Sequence, residues 1–233
     1  MDLKQYYTLK RKILLSLISG GSALVTVIVG SSFMKFYTDI VGLSPALYGV
    51  VFFIFSIWNG INDPIIGYWA DKRPFLTGRG KYRPLIRWSI PAIGVSVIAL
   101  LFASPDWGEI VTAVYLLILL VIYEGFQTVL GVSYMAFTVN TFLATDERTE
   151  MQVISSYVNM IPVFLGGMIP VWFLTGEYSR MSLVAIFSGA FLFGLLLIWI
   201  GSQFIRENKR FYETMEVTQG LKELLALARE LFR

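Results

Sequence analysis

Two groups of polar side chains interrupt apolar stretches that are otherwise long enough to cross a bilayer. Their members are Asn59, Asn62 and Asp63 in one stretch and Glu124, Gln127 and Thr128 in another. Residues three or four positions apart share one face of a helix, so each group predicts a polar patch. Ionisable groups at membrane depth are costly and mark solute, ion or proton pathways. We therefore expect the six residues to line one site for a solute and a cation.

The two carboxylates of these groups have no obvious basic partner at the same depth. Asp63 lies roughly 25 Å and Glu124 roughly 21 Å from the outer ends of their spans at the helical rise per residue. Either carboxyl could carry a proton at neutral pH. Alternatively, Asp63 and the amide oxygens of Asn59 and Asn62 could form an oxygen site for sodium. A third reading is structural, with hydrogen bonds between helices and Glu124 at a thinned membrane interface.

The composition shows which elements must hold these groups. Of the 233 residues, 56% are hydrophobic and 15% are charged, whereas a soluble domain carries about 25% charged residues. Mean hydropathy is +0.66, and the apolar residues fall in blocks of roughly 20, which span hydrocarbon as helices. The sequence therefore predicts an all-α membrane protein. Its six expected spans are 13–37, 46–70, 88–103, 110–137, 153–174 and 182–205.

The basic residues indicate how the chain is oriented. All lysines and arginines except Lys35 and Arg180 lie before the first span, in the even-numbered loops or after the sixth span. This bias predicts that both termini are cytoplasmic in a multi-pass protein of the plasma membrane. We expect a cytoplasmic N-terminus at 1–12, a six-helix bundle at 13–205 and a cytoplasmic tail at 206–233. Apolar residues at helical spacing over 219–233 predict an amphipathic helix along the membrane surface.

A basic loop follows the second span. Gly67 and Asp71 fit the pattern G-x-x-x-D-[KR]-[KR] at the cytoplasmic end of that span. The glycine permits close packing, and the aspartate can pair with arginines. We expect a cytoplasmic gate or charge network made of Gly67, Asp71, Arg73, Arg79, Arg83 and Arg148. The alternative is that the basic run acts only as a topology signal.

Absent residue types exclude several functions. The chain has no cysteine and no histidine, which removes disulfides, thiol nucleophiles and imidazole acid–base chemistry. No nucleophile constellation or metal-ligand cluster is visible, so we expect no enzyme activity and no metal site. No cofactor is expected beyond a coupling ion, sodium or a proton. The expected partners are the bilayer, a small solute and a second six-helix bundle; no nucleic-acid partner is expected.

Residues 58–84 resemble the signature of the glycoside–pentoside–hexuronide cation symporters, the melibiose-permease branch of the major facilitator superfamily. The matching residues are Ile61-Asn62-Asp63-Pro64, Gly67, Asp71 and Gly78-Arg79-x-Lys81-x-Arg83-Pro84. Residues 37–44 are similar to that family's first outer loop, and 146–150 to its charged loop between the fourth and fifth spans. The resemblance implies half of a twelve-helix fold, with six helices as two inverted three-helix repeats.

The chain also departs from the family pattern. The family's second span carries two acids four residues apart, whereas this chain has Asn59 and Asp63 there. The family's sugar-ligating acids of the first and fourth spans fall near Ala23 and Gly131, and its fifth-span arginine falls near Ser156. Galactoside binding in the family's manner is therefore not expected. A carboxylate relocated to position 124 could compensate for the lost fourth-span acid.

These observations lead to one main functional hypothesis. We expect a half-length secondary transporter that works as a two-bundle assembly, either a homodimer or a pair with a partner half. It would move a polar solute, such as a sugar or glycoside, or a lipid-like amphiphile, together with a cation or proton. The alternatives are a non-transporting six-helix interaction module and a truncated domain of a twelve-helix symporter.

Overall fold

The computed structural model describes residues 7–176 and 178–208. Its helices are α1 (Leu9–Lys35, continued by a π-helical turn at Phe36–Val41), α2 (Pro45–Asp71), α3 (Tyr82–Leu100), α4 (Glu109–Thr141), α5 (Thr145–Phe173) and α6 (Arg180–Ser202). All six are long and apolar enough to cross a membrane. The predicted all-α fold with six spans is confirmed. The predicted amphipathic helix at 219–233 lies outside the described residues.

The helices pack in a pattern that repeats after three elements. Helix α1 packs on α5 and α6, α4 packs on α2 and α3, and α3 packs on α6. Exchanging α1 with α4, α2 with α5 and α3 with α6 leaves this set of pairs unchanged. Such a pattern is expected for two three-helix repeats related by a two-fold axis. The repeat architecture that the family resemblance implies is therefore present in the packing.

Two polar links tie helices that begin at the same end of the bundle. The Lys12 ammonium lies 2.5 Å from the Glu150 carboxylate and joins the starts of α1 and α5. At the other end, the Ser44 hydroxyl before α2 donates to Glu109 at the start of α4, at 2.9 Å. Exchanging α1 with α4 and α5 with α2, as above, converts the first link into the second. We call the end that contains Lys12 and Glu150 the basic end, and the other the opposite end.

Glycines allow α1 and α6 to approach closely. A Cβ atom on Gly21 would overlap the carbonyl oxygen of Gly194 and lie 2.8 Å from the Ile198 side chain. A Cβ atom on Gly201 would lie 2.9 Å from the backbone nitrogen of Ile18. Small residues at such crossings favour association in lipid because they bring two backbones into contact. Helix α1 is thereby held firmly against α6.

Side chains from three other elements satisfy the carbonyl groups at the end of α3. The hydroxyl of Tyr37 donates to the carbonyl of Leu100 at 2.7 Å, and that of Tyr115 donates to Ala99 at 2.7 Å. The Arg180 guanidinium donates to the carbonyl of residue 103 just beyond the helix. Because unpaired carbonyls at a helix end are costly within a membrane, these contacts fix where α3 stops.

Two of the predicted boundaries are wrong in one consistent way. Residues 146–150 were expected to form a charged loop, but they belong to the first turns of α5, which begins at Thr145. Helix α3 begins at Tyr82, six positions before the expected start at 88. Both helices have polar first turns, which an apolar run cannot reveal. In α5, Asp146 and Glu147 occupy the first turn, where carboxylates favour the positive end of the helix dipole.

Candidate solute and cation site

Three of the predicted site residues form a hydrogen-bonded relay between α2 and α4. The amide nitrogen of Asn62 donates to the hydroxyl of Thr128 at 2.7 Å, and that hydroxyl donates to the Asp63 carboxylate at 3.0 Å. Both helices start at the opposite end and run parallel. Asp63 lies about 27 Å along α2 at 1.5 Å per residue, within the span. We call Asn62, Thr128 and Asp63 the polar relay.

The polar relay leaves acceptor atoms available to a ligand. Asn62 is only 1% exposed, and its side-chain oxygen is buried without a hydrogen-bond partner in the described chain. The Asp63 side chain, in contrast, is exposed in the six-helix bundle. Carboxylate, hydroxyl and amide oxygens are the donors that hard cations prefer. The chemistry of this set therefore suits a proton or a small cation such as sodium.

The second predicted group divides between two neighbouring helices. Gln127 turns away from the polar relay: its amide nitrogen donates to the hydroxyls of Ser22 and Thr26 on α1, at 2.7 and 2.8 Å. Its amide oxygen is buried and has no partner among the described residues. Gln127 therefore bridges α4 to α1, whereas its neighbour Thr128 bridges α4 to α2.

Glu124 and Asn59 lie one turn nearer the opposite end than the polar relay. Glu124 is half-buried and lies on α4 one turn before Thr128, the residue that bonds to Asp63. Asn59 is also half-buried. Because α2 and α4 run parallel and Asn62 meets Thr128, Asn59 and Glu124 lie at one level. The two carboxylates thus belong to one region between α2 and α4.

A cavity of about 330 Å³ opens between α1 and α4. Ala23 and Gly131 both line it, and these are the positions near which the family resemblance places sugar-ligating acids. Ser19, Ser22 and Tyr134 add hydroxyl groups to a lining that is otherwise mostly apolar. Among the residues that the structure describes, no carboxylate or basic side chain lines this cavity. The region between α2 and α4 that holds the two carboxylates is therefore distinct from the neighbouring cavity between α1 and α4.

A second set of polar contacts joins α1 to α5. The hydroxyls of Ser16 and Ser155 lie 3.0 Å apart, and the Ser19 hydroxyl donates to the Asn159 side-chain oxygen at 3.0 Å. Sequence analysis missed these residues, although Ser155 and Asn159 show the same four-residue spacing as Asn59 and Asp63. Ser156, near the position of the family's arginine, donates only to a carbonyl of its own helix.

The residues of the predicted charge network share the basic end but have separate partners. The Asp71 carboxylate accepts from the Tyr82 hydroxyl at 3.1 Å, and the Asp71 carbonyl accepts from Lys81 at 2.7 Å. The Arg73 guanidinium lies 4.2 Å from the centre of the Trp69 ring. Partial burial lowers the pKa of Lys81, while the nearby carboxylates of Asp71 and residue 207 act in the opposite sense. No ion pair joins Asp71 to an arginine of the described residues.

The remaining members of that set support helix ends and packing. Arg148 donates to the carbonyl of Phe142 at 2.7 Å and so caps α4. The Arg83 backbone belongs to the start of α3, and Arg79 lies in the connection between α2 and α3. Gly67 faces α4, where a Cβ atom would make ordinary contact with a valine side chain at 3.9 Å. In this structure the set does not form one ion-pair network.

Two related triplets of membrane-spanning helices around a polar centre define a bundle of the major facilitator type, and comparison with known sequences agrees. The family model described as "MFS/sugar transport protein" matches residues 15–233. This chain belongs to that family, and the resemblance to its cation-symporter branch is confirmed.

Individual relatives come from bacteria and from a vertebrate. The chain is 26% identical over 193 residues to the "Putative 2,3-dihydroxypropane-1-sulfonate exporter" of Escherichia coli, a match covering 81% of the chain and 41% of the relative. It is 33% identical over 97 residues to the "Putative glycoside/cation symporter YagG" of that organism, covering 40% and 20%. It is 26% identical over 126 residues to the "Sodium-dependent lysophosphatidylcholine symporter 1" of Gallus gallus, covering 54% and 23%. The chain spans less than half the length of these relatives.

Proposed function

We propose that this bundle is one half of a cation- or proton-coupled secondary transporter in the plasma membrane, with both termini cytoplasmic. The observation that carries this proposal is the polar relay, which holds an exposed Asp63 side chain at membrane depth. A carboxylate there is too costly to be retained for packing alone. The basic bias of the loops supports the orientation.

The coupling step rests on what the polar relay can do with a cation. Thr128 donates its hydroxyl proton to Asp63, so the carboxylate acts as an acceptor in this arrangement. A sodium ion at the exposed Asp63 carboxylate would be drawn by its charge and by the unpaired oxygen of Asn62. Protonation of Asp63 would neutralise the same charge. Either event neutralises an exposed negative charge at membrane depth beside the interface of α2 and α4 and changes how closely these helices can pack.

The solute is proposed to occupy the cavity between α1 and α4. Its lining exposes almost only apolar carbon, and none of the described residues that line it is charged. Such a surface suits the apolar part of an amphiphilic molecule. A solute with a sulfonate or phosphate group would need a basic side chain from outside this cavity, since none of its lining residues supplies one.

The second half of the transporter is proposed to cover α2 and α5. On α2 an apolar stripe is about half exposed, at Ile54, Ile57, Ile61 and Ile65. On α5, Tyr157, Ile161 and Phe164 are more than half exposed. The exchange of helices relates α2 to α5, so the two stripes are equivalent in the two repeats. A second copy or a partner half fits this face, as does the remainder of a longer chain in relatives.

Cation-dependent stability tests the coupling proposal without knowledge of the solute. Purified protein in detergent would be titrated with sodium chloride, and with choline chloride at matched ionic strength, at several pH values. A bound ion stabilises the folded state by about 1.4 kcal/mol at ten times its Kd. We expect Asp63→Asn to abolish the sodium-specific stabilisation, and Asp106→Asn, which changes an exposed acid at the opposite end, to retain it. Equal responses of Asp63→Asn and the unmodified protein would overturn the coupling role.

Oligomeric state tests the two-bundle proposal separately. Mass measurement in lipid nanodiscs at low protein concentration distinguishes one bundle from two. We expect two bundles in each particle, and cross-linking through single cysteines placed on the exposed stripe of α2. A stable monomer would exclude transport by this chain alone, while the cation response would remain as a property of the single bundle.

A further inference from the structure

The segment at 203–208, directly after α6, crosses the basic end and is held there by three contacts. The Tyr7 hydroxyl accepts from the backbone N–H of Arg206 at 2.9 Å and donates to its carbonyl at 3.1 Å. The side-chain oxygen of Gln203 accepts from Arg87 of α3 at 2.6 Å. The third contact is made by Glu207, whose carboxylate accepts hydrogen bonds from the start of α3.

The Glu207 carboxylate accepts three consecutive backbone N–H groups. They belong to Lys81, Tyr82 and Arg83, at 2.8, 3.1 and 2.7 Å. Helix α3 begins at Tyr82, has no acidic residue in its first turn and receives no cap from its own N-cap side chain. A side chain 126 positions away from Lys81 therefore supplies both the cap and the negative charge that a helix start favours.

A glycine leaves room for this contact. Gly80 has a φ of +84°, and a Cβ atom there would lie 2.7 Å from the carboxyl carbon of Glu207. Any other residue would be strained in this backbone conformation and would push the carboxylate away. The binding position of the Glu207 carboxylate thus depends on the glycine at position 80 as well as on the three backbone N–H donors.

The same few residues lead onward to α2. Lys81 donates to the Asp71 carbonyl, and the Tyr82 hydroxyl donates to the Asp71 carboxylate. Asp71 is the last residue of α2, the helix that carries Asp63. A path of direct contacts therefore runs from the segment after α6, through the start of α3, to the end of α2 that faces the basic end.

We propose that Glu207 is a latch that couples the chain leaving the bundle to the end of α2. With the latch closed, as here, the first turn of α3 is capped and Asp71 is held. When the segment at 203–208 moves away, three N–H groups lose their acceptor, the connection at 72–81 loosens, and α2 is released at the basic end. Glu207 is half-buried, so water can replace the backbone donors when the contact opens.

Hydrogen–deuterium exchange of the full chain in nanodiscs measures the latch directly. Loss of a helix cap corresponds to about tenfold faster opening of the amides it protects. We expect Glu207→Ala to raise exchange about tenfold at residues 81–83 and to raise it also at the end of α2. Gly80→Ala should reproduce the effect by displacing the carboxylate, and Glu207→Gln should be intermediate. Asp146→Ala removes an exposed acid from the first turn of α5 at the same end; it is the matched control and should leave residues 81–83 unchanged.

The outcomes separate a latch from a simple cap and from the proposed transport function. Unchanged exchange at 81–83 in Glu207→Ala would show that the carboxylate protects nothing. Faster exchange there with an unchanged end of α2 would reduce Glu207 to a local cap and overturn the coupling. This proposal does not require cation binding. If Asp63→Asn retains the sodium response of the unmodified protein while both exchange effects appear, the latch proposal holds and the coupling role of Asp63 does not.

Discussion

Replacing Thr128 with valine isolates the hydroxyl at the centre of the polar relay. Valine keeps the shape of threonine but removes the hydrogen bonds to Asn62 and Asp63. The amide of Asn62 is 1% exposed and already has an unpaired oxygen, so the change leaves the whole amide without a partner inside the membrane. Hydrogen bonds between membrane helices contribute about 0.6 kcal/mol on average and about 1.7 at most. An orphaned buried polar group costs about 1–3 kcal/mol.

We therefore expect Thr128→Val to lower the free energy of unfolding by about 1.5 kcal/mol. Reversible unfolding in mixed micelles, followed by far-UV circular dichroism, measures this difference. Thr128→Ser retains the hydroxyl and should lose less than about 1 kcal/mol. Thr138→Val is the matched control, because the Thr138 hydroxyl donates only to a carbonyl of its own helix. If Thr128→Val and Thr138→Val agree within about 0.3 kcal/mol, the polar relay does not stabilise the interface of α2 and α4 as argued.

Three further experiments, with five substitutions in all, test the contacts that hold the bundle together. Gly21→Ala should cost about 1–3 kcal/mol in the same unfolding assay because α6 must shift, whereas Gly30→Ala meets no atom within 4 Å and should be neutral or stabilising; the reverse ranking would contradict the close crossing. Glu150→Gln should destabilise the protein more than Lys12→Met, because it leaves the Lys12 ammonium, only 8% exposed, without its charged partner, whereas Glu150 is exposed. Equal losses of stability in the two variants, measured across a salt titration, would contradict this difference. Tyr37→Phe should cost about 1 kcal/mol and speed amide exchange at the end of α3, and unchanged exchange there would mean that the cap is dispensable.

The sequence predicts the spans well because the membrane imposes length and hydrophobicity on each helix. It also predicts Asn62, Asp63 and Thr128 as one site, since few polar residues occur at that depth and their spacing fixes a shared face. The first residues of α3 and α5 are not predictable in this way. The start of α3 is capped by the distant Glu207 carboxylate. The start of α5 has Asp146 and Glu147 at the positive end of its helix dipole.

Spacing gives the face of a helix but not the neighbour that the face meets. Gln127 was grouped with Thr128, yet it bonds to Ser22 and Thr26 of α1, because adjacent residues on a helix diverge by about 100°. Glu207 was not predicted at all. A cap supplied from the far end of the chain has no local pattern, so only the three-dimensional packing reveals it.

The hydroxyl of Thr128 has a single hydrogen, and this gives the polar relay a direction. While that hydrogen points to Asp63, the oxygen can accept only from the nitrogen of Asn62. A hydrogen placed on Asp63 would let the acid donate to Thr128, which could then donate onward. If Thr128 is to donate to Asn62, that amide has to turn over and present its oxygen, the atom that now lacks a partner. The orientation of one amide would thus record whether the acid is charged.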